Sequence, residues 1–307
     1  MLALGLPLTV GAAALAGYWL AGRALAPVTR ITEEARLISA ARLDARLPVL
    51  NAHDELGQLA ATFNELFSRL ERSFEQLRRF TSDASHELRT PLTVIRSVGE
   101  VALRERHDEA VYRDTIGTML EEADRLTRLV EELLTLARAD GGRLAPRQEP
   151  LDLGELAVDT VQQLHVLAEE KGQRLEVSTQ PLRVLGDRTV LRQALANILD
   201  NAIKYSPEGT TVSVSVSSDS DMAEVAIADQ GSGIAPEHRE RIFDRFYRID
   251  PARSREAGGF GLGLAIARWA VEAHDGQILV EGDVGRGTVF RIRLPLAPKS
   301  SSGQALP

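Results

Sequence analysis

The sequence predicts a multidomain chain: a membrane helix, a coiled-coil segment, a four-helix bundle formed by two copies, and a C-terminal α/β sandwich whose mixed sheet carries helices on one face. Three observations predict it. Residues 2–22 are uncharged and about as long as a bilayer-spanning helix. Apolar residues then recur at alternating steps of four and three. Beyond Leu151 this pattern yields to strand-like runs alternating with helical stretches.

Composition limits what the chain can do. Its 307 residues suffice for two or more globular units. With no cysteine, disulfides, thiolate metal sites and a cysteine nucleophile are all excluded. A formal net charge of -8 argues against nucleic acid as a partner.

Residues 1–22 form the expected membrane helix. Tyr18 and Trp19 fall where an interfacial aromatic belt lies, and Arg23, Arg30 and Arg36 follow, which puts everything after the span in the cytoplasm. A cleaved signal peptide needs basic residues ahead of the apolar run, and none are there.

Over residues 23–76, Ala24, Val28, Ile31, Ala35 and Ile38 keep heptad spacing, a polar connector containing Pro48 interrupts, and Leu56, Leu59, Phe63, Leu66 and Leu70 resume. Two short amphipathic helices joined by an extended connector resemble a HAMP signal-relay module, with Pro27 and Asp54-Glu55-Leu56-Gly57 carrying the resemblance. The steps Leu66, Leu70, Phe74, Leu77 run 4, 4, 3, a stutter that locally unwinds a supercoil.

Residues 77–140 read as a helical hairpin. With Ala84 and Leu88 in the seam, His86 faces outward, Thr90 shares its face one turn on, and Glu87 flanks it. A histidine or cysteine at i+3 or i+4 is missing, which argues against a metal ligand. An exposed imidazole beside a carboxylate, with Pro91 distorting the helix, suits a nucleophile toward a bulky electrophile, although a lone exposed histidine is also an ordinary surface residue. The second helix repeats Ile116, Met119, Ala123, Leu126, Val130, Leu133 and Ala137, widened by Leu120, Leu129 and Leu134. Faces this broad predict a homodimeric four-helix bundle. Gly141-Gly142 and Pro146 to Pro150 mark a linker.

Residues 149–297 read as the α/β unit. Helices are expected at about 152–171, 187–205 and 261–275, and strands at 211–217, 223–229, 277–282 and 288–294. The chain has no GxxxxGK[ST] loop, and GGFGLGLAI at 258–266 lacks both the last glycine and the preceding strand of a dinucleotide fingerprint. Its glycines still allow backbone amides to approach phosphates at a helix start. Asn197, Asn201 and Lys204 align at i, i+4 and i+7, a row that fits a Mg²⁺ ion completed by phosphates, with a solvated helix face as the alternative. Tyr205 can lie over a base. Asp229, entering QGSGI, can accept a hydrogen bond from an adenine amino group or form an ordinary Asx turn.

Taken in order, SHELRTPL, NILDNAIKYSP, DQGSGI, RIFDRFYR, GGFGLGLAI and GRGTVFRIRLP resemble the H, N, G1, F and G2 boxes and the last glycine motif of bacterial two-component sensor histidine kinases, over roughly residues 20–297. The resemblance implies ATP and Mg²⁺ as cofactors, His86 as phosphoacceptor, Glu87 as its general base and Thr90 in phosphatase activity. It implies Asn201 as Mg²⁺ ligand with Asn197 assisting, Lys204 on phosphate, and Tyr205 and Asp229 on adenine. Gly231, Gly233, Gly259, Gly261, Leu262, Gly263 and Thr288 join the nucleotide site, and the Phe243–Gly263 segment forms a lid. The implied partners are a second copy, a response-regulator receiver domain and the bacterial inner membrane, with no nucleic acid. Phe260 stands where the family more often has Ser or Thr. The family usually carries two spans flanking a sensory domain, and this chain begins inside what resembles the second; residues 298–307 are expected to be a disordered tail.

Overall fold

The computed structural model of the chain describes residues 10–11, 13–23, 32–33, 45–49, 54–104, 108–141, 146–250 and 259–298. Two compact units are distinguished, residues 1–84 and 85–307.

In the first unit, residues 13–23 are helical and exposed, with the Arg23 guanidinium 5.5 Å from the Trp19 ring centroid. Among the described residues no helix is long and apolar enough to cross a membrane. Residues 1–9 of the expected span lie outside them, as do the heptad positions Ala24, Val28, Ile31, Ala35 and Ile38. Helix α1 (Glu55–Arg104) starts where Asp54 caps it: its carboxylate accepts the Gly57 N–H at 2.7 Å, and its carbonyl accepts that of Gln58 at 3.0 Å. The connector around Pro48 is pinned by one carboxamide. Asn64 accepts the Leu47 N–H at 2.8 Å and donates to the Leu47 carbonyl at 2.9 Å, leaving Leu47 2% exposed. The helix runs unbroken through the stutter, and Leu66, Leu70, Phe74 and Leu77 all stay exposed.

Pro91 does not end α1 either. It has no N–H for the Glu87 carbonyl. The adjacent Thr90 hydroxyl donates to the His86 carbonyl at 3.3 Å, while the proline ring itself is buried. Helix α2 (Glu109–Asp140) is capped by Asp108, which accepts from Val111 N at 2.9 Å. Along it Ile116, Leu120, Val130 and Leu134 are exposed, whereas Leu129 and Leu136 are fully covered.

The α/β unit follows as β1 (Glu149–Asp152), α3 (Leu153–Glu170), β2 (Arg174–Ser178), β3 (Arg183–Gly186), α4 (Arg188–Tyr205), β4 (Thr211–Asp219), β5 (Met222–Ala228), α5 (Gly263–Glu272), β6 (Gln277–Glu281) and β7 (Val289–Pro295). Five strands form a mixed sheet in the order β2-β4-β5-β7-β6, with β2 parallel to β4 and the remaining neighbours antiparallel. The helix and strand expectations therefore hold. The separate antiparallel pair of β1 with β3 was not expected, because EPLD and RVLG are too short to show alternation. Val212, Val214 and Val216, with Val225, Ile227, Phe290 and Ile292, point to one face and meet Leu156, Leu195, Ile198, Leu199 and Val271 of the helices. On the other face Glu224 bridges the strands, accepting from Arg291 at 2.6 Å and Arg293 at 2.8 Å.

Candidate nucleotide and phosphoacceptor site

Helix α4 supplies one wall of the site, and both of its ends are fixed. At the N-terminus the Asp187 carboxylate accepts the Thr189 and Val190 N–H groups at 2.9 and 3.2 Å. The Asp187 N–H in turn donates to His274 Nε2 at 2.9 Å, so the buried imidazole carries its proton on Nδ1, 2.6 Å from the Ala270 carbonyl. At the C-terminus the Lys171 ammonium donates to the carbonyls of Ile203, Lys204 and Ser206. Gln173 donates to Ile203, Ser206 and Pro207.

Between α4, the strand ends and the lid lies a cavity of about 560 Å³. Of the residues expected from sequence, Asn197, Asn201, Lys204, Tyr205, Asp229, Gly233, Gly259, Gly261, Gly263 and Thr288 line it. Gly231 and Leu262 do not. Gly231 is buried where a Cβ would stand 2.8 Å from both the Asp229 carboxylate and the Tyr205 carbonyl, so its part is close packing. The Leu262 side chain is fully buried with Leu129 and Leu136, so it anchors the lid to α2 and cannot itself line the cavity. Asn197 donates to the Gly263 carbonyl at 3.0 Å, tying α4 to the first residue of α5. Lys204 pairs with Asp200 at 2.6 Å.

Asp229 lines the cavity and forms the Asx turn. Its Oδ1 accepts the Gly231 N–H at 2.7 Å, an Asx turn, and the Thr288 N–H at 3.2 Å. Burial nevertheless raises its pKa above the ordinary value, against the lowering effect of these bonds.

The lid segment lies partly outside the described residues, at 251–258. Its two flanks are joined: Phe246 N–H donates to the Gly261 carbonyl at 2.9 Å. Gly261 has φ +75°, and a Cβ there would come within 2.9 Å of the Phe246 and Tyr247 backbone, so glycine is required. Gly233, at φ +69°, is held as tightly against the Asp283 carbonyl. Tyr247 is oriented by His238 Nδ1 at 2.7 Å and by Arg241, 4.4 Å from its ring centroid.

Sequence reasoning missed Glu132 and Arg128, which enter the cavity wall from α2, and it took in Arg248 and Asp250 only as part of the Phe243–Gly263 segment. No periodicity links α2 to a cavity in the α/β unit. Glu132 has one buried carboxylate oxygen with no hydrogen-bond partner. Burial lifts its pKa to about 7; Lys204 and Arg128 pull it down and Asp200 pushes it further up.

On α1, His86 and Thr90 are exposed and Glu87 is half-buried, and together with Pro91 and Arg125 they line a second pocket. The two pockets adjoin. Arg248, in the wall of the first, lies 3.9 Å from the Glu87 carboxylate, and Arg125, in the second, stacks 5.3 Å over Phe260 of the first.

A histidine with an adjacent carboxylate on a helical hairpin thus lies next to a cavity in an α/β sandwich. Three family models match the chain in sequence order. They are the HAMP domain over residues 19–72, the His Kinase A (phospho-acceptor) domain over 76–142, and the histidine kinase-, DNA gyrase B- and HSP90-like ATPase over 186–298. The chain belongs to the sensor histidine kinases of bacterial two-component systems. Sensor histidine kinase CusS of Escherichia coli (strain K12) is 37% identical over 270 residues, covering 88% of this chain and 56% of the relative. Sensor protein IrlS of Burkholderia pseudomallei is 36% identical over 283 residues, covering 92% and 61%. The chain thus spans little more than half the length of these curated relatives. Among solved structures, histidine kinase AdeS of Acinetobacter baumannii is 26% identical with TM-score 0.57, covering 69% of this chain and 98% of that one. Histidine kinase ThkA, solved in complex with response regulator protein TrrA, is 25% identical with TM-score 0.62, covering 80% and 69%.

Proposed function

We propose that this chain is the signalling part of a membrane-anchored kinase that phosphorylates His86 from ATP and passes the phosphoryl group to an aspartate of a receiver protein. Asn201 and Asn197 offer hard carboxamide oxygens, with the Asp200 carboxylate on the same wall, a donor set that fits Mg²⁺ only when phosphate oxygens complete its shell. Bound there, Mg²⁺ supplies neutralisation of phosphate charge.

Lys204 meets the phosphates, exchanging its Asp200 partner for them, while Tyr205 covers the base and Asp229 accepts from the adenine amino group. An imidazole nitrogen of His86 attacks the γ-phosphorus in line; the bond to the bridging oxygen breaks, ADP leaves, and Glu87 takes the ring proton. In the second step a receiver carboxylate attacks the same phosphorus and the P–N bond breaks. Thr90, on the exposed face beside His86, orients a water that attacks the phosphorus of the receiver's aspartyl phosphate, releasing the carboxylate and inorganic phosphate. The exposed apolar rows on α1 and α2 are the seam for a second copy. Residues 1–22 anchor the chain in the inner membrane.

The observation that carries this reading is the contact of Arg248 with Glu87, which joins the nucleotide cavity to the neighbour of His86. The test is incubation of the full chain with γ-labelled ATP. Label that is acid-labile, base-stable and lost in His86→Gln is the expected result; label surviving in that variant refutes it.

A further inference from the structure

Lys171, beyond the end of α3 and outside the cavity lining, presents an ammonium to the C-terminus of α4. Its Nζ lies 2.8 Å from the Ile203 carbonyl, 2.9 Å from that of Lys204 and 3.3 Å from that of Ser206. An ammonium has three donors, so all three are taken. The acceptors are carbonyls that a helix C-terminus leaves without intrahelical partners, at the negative end of the helix dipole. Two of them belong to the last turn from which Lys204 and Tyr205 enter the cavity.

We propose that Lys171 is a positioning residue for nucleotide binding, holding the last turn of α4 so that the Lys204 ammonium and the Tyr205 ring are set before ATP arrives. The proposal rests on the cavity being the ATP site. Lys171 does not touch the nucleotide. It acts through backbone carbonyls, and its charge matters because charge-assisted hydrogen bonds are stronger than neutral ones, and stronger still at the negative end of the helix dipole. The Tyr205 carbonyl faces the position of Gly231, so a frayed last turn also presses on the loop that carries Asp229. Gln173 shares two of the three acceptors through a neutral amide, so removing Lys171 weakens this end without stripping it.

The test uses the full chain as wild type, Lys171→Met and Lys171→Arg, with ATP·Mg²⁺ titrated in a His86 labelling assay and thermal midpoints measured alongside. Lys171→Met keeps the aliphatic stem and removes the charge. It is expected to raise KM for ATP about tenfold with kcat unchanged, the loss of one charge-assisted cluster. Lys171→Arg should recover most of that affinity. A lower midpoint with unchanged KM overturns the proposal and leaves Lys171 a fold cap. Should Lys171→Met not fold, the wild type still decides. Binding and order at this turn are reciprocal, so saturating ATP·Mg²⁺ should slow acylation of the Lys171 amine. An unchanged acylation rate overturns the proposal. Failure of the wild type to bind ATP overturns the reading of the cavity, and is told apart because it appears before any substitution.

Discussion

Glu132→Gln should change how tightly α2 packs on the nucleotide domain, with a sign set by pH. In the packed structure the Glu132 carboxyl is raised by burial from 4.5 to about 7, with Lys204 and Arg128 opposing the rise and Asp200 adding to it. The difference, about 7 less 4.5, is about 2.5 on the pH scale; at about 1.36 kcal/mol for each, this is on the order of 3 kcal/mol. A carboxyl whose pKa rises on packing contributes stability that is fully present below about pH 4.5, declines between 4.5 and 7, and is gone above. Glutamine stays neutral throughout. Relative to the variant, the wild-type packing should therefore weaken as pH rises across that window. The measurement is hydrogen exchange of α2 around Leu129 and Leu136 in the full chain, where intrinsic pH effects cancel between the two proteins. About 3 kcal/mol corresponds to roughly 100-fold in exchange rate. A wild-type-to-variant ratio that stays constant from pH 4.5 to 8 would falsify the assignment of a buried, uncharged Glu132 in the cavity wall.

Asn201→Ala should abolish labelling of His86 while the chain still dimerises; a purified variant that labels at the normal rate removes Asn201 from the site. Thr90→Ala should slow receiver dephosphorylation by about 10²-fold and leave His86 labelling intact, since a hydroxyl can position water but cannot deprotonate imidazole; equal loss of both activities would mean a structural defect instead. Glu224→Gln should destabilise the α/β unit by about 1–2 kcal/mol at neutral pH, a value discounted for the partly exposed arginines. Burial raises the Glu224 carboxyl, but the bonds from Arg293 and Arg291 outweigh it and the net pKa is lowered. The wild-type advantage is thus present above the ordinary carboxylate range and lost as pH falls through the lowered value, which urea midpoints at several pH values would show.

Much of the site was legible because it is periodic. Asn197, Asn201 and Lys204 share a face of α4 by spacing alone, and strands β4 to β7 announce themselves by alternation. Asp229 was legible as a strand end running into a glycine loop. What stayed hidden depends on packing between elements distant in sequence. Glu132 lies 69 residues before Asn201 on a helix whose pattern speaks for a bundle, and nothing local marks it as part of a cavity. Arg248 was found as the last residue of RIFDRFYR, but its approach to Glu87 joins elements distant in sequence. Leu262 and Gly231 were found as motif members, yet their jobs are a buried contact and a close backbone approach, which a motif does not distinguish from ligand binding. Pro91 was legible as an irregularity, but the helix continues through it.

Phe260 belongs at once to the wall of the nucleotide cavity and to the apolar cluster with Leu129 and Leu136 of α2. Moving Phe260 out of that wall therefore means pulling a phenyl ring, 5% exposed, away from a neighbouring helix. Burying such a ring is worth about 2–3 kcal/mol, so any motion that requires its withdrawal is slowed by roughly 30- to 150-fold. A serine or threonine in its place would carry no such toll. On the proposed reading of the cavity as the ATP site, a smaller residue at this position is expected to shorten the interval between turnovers.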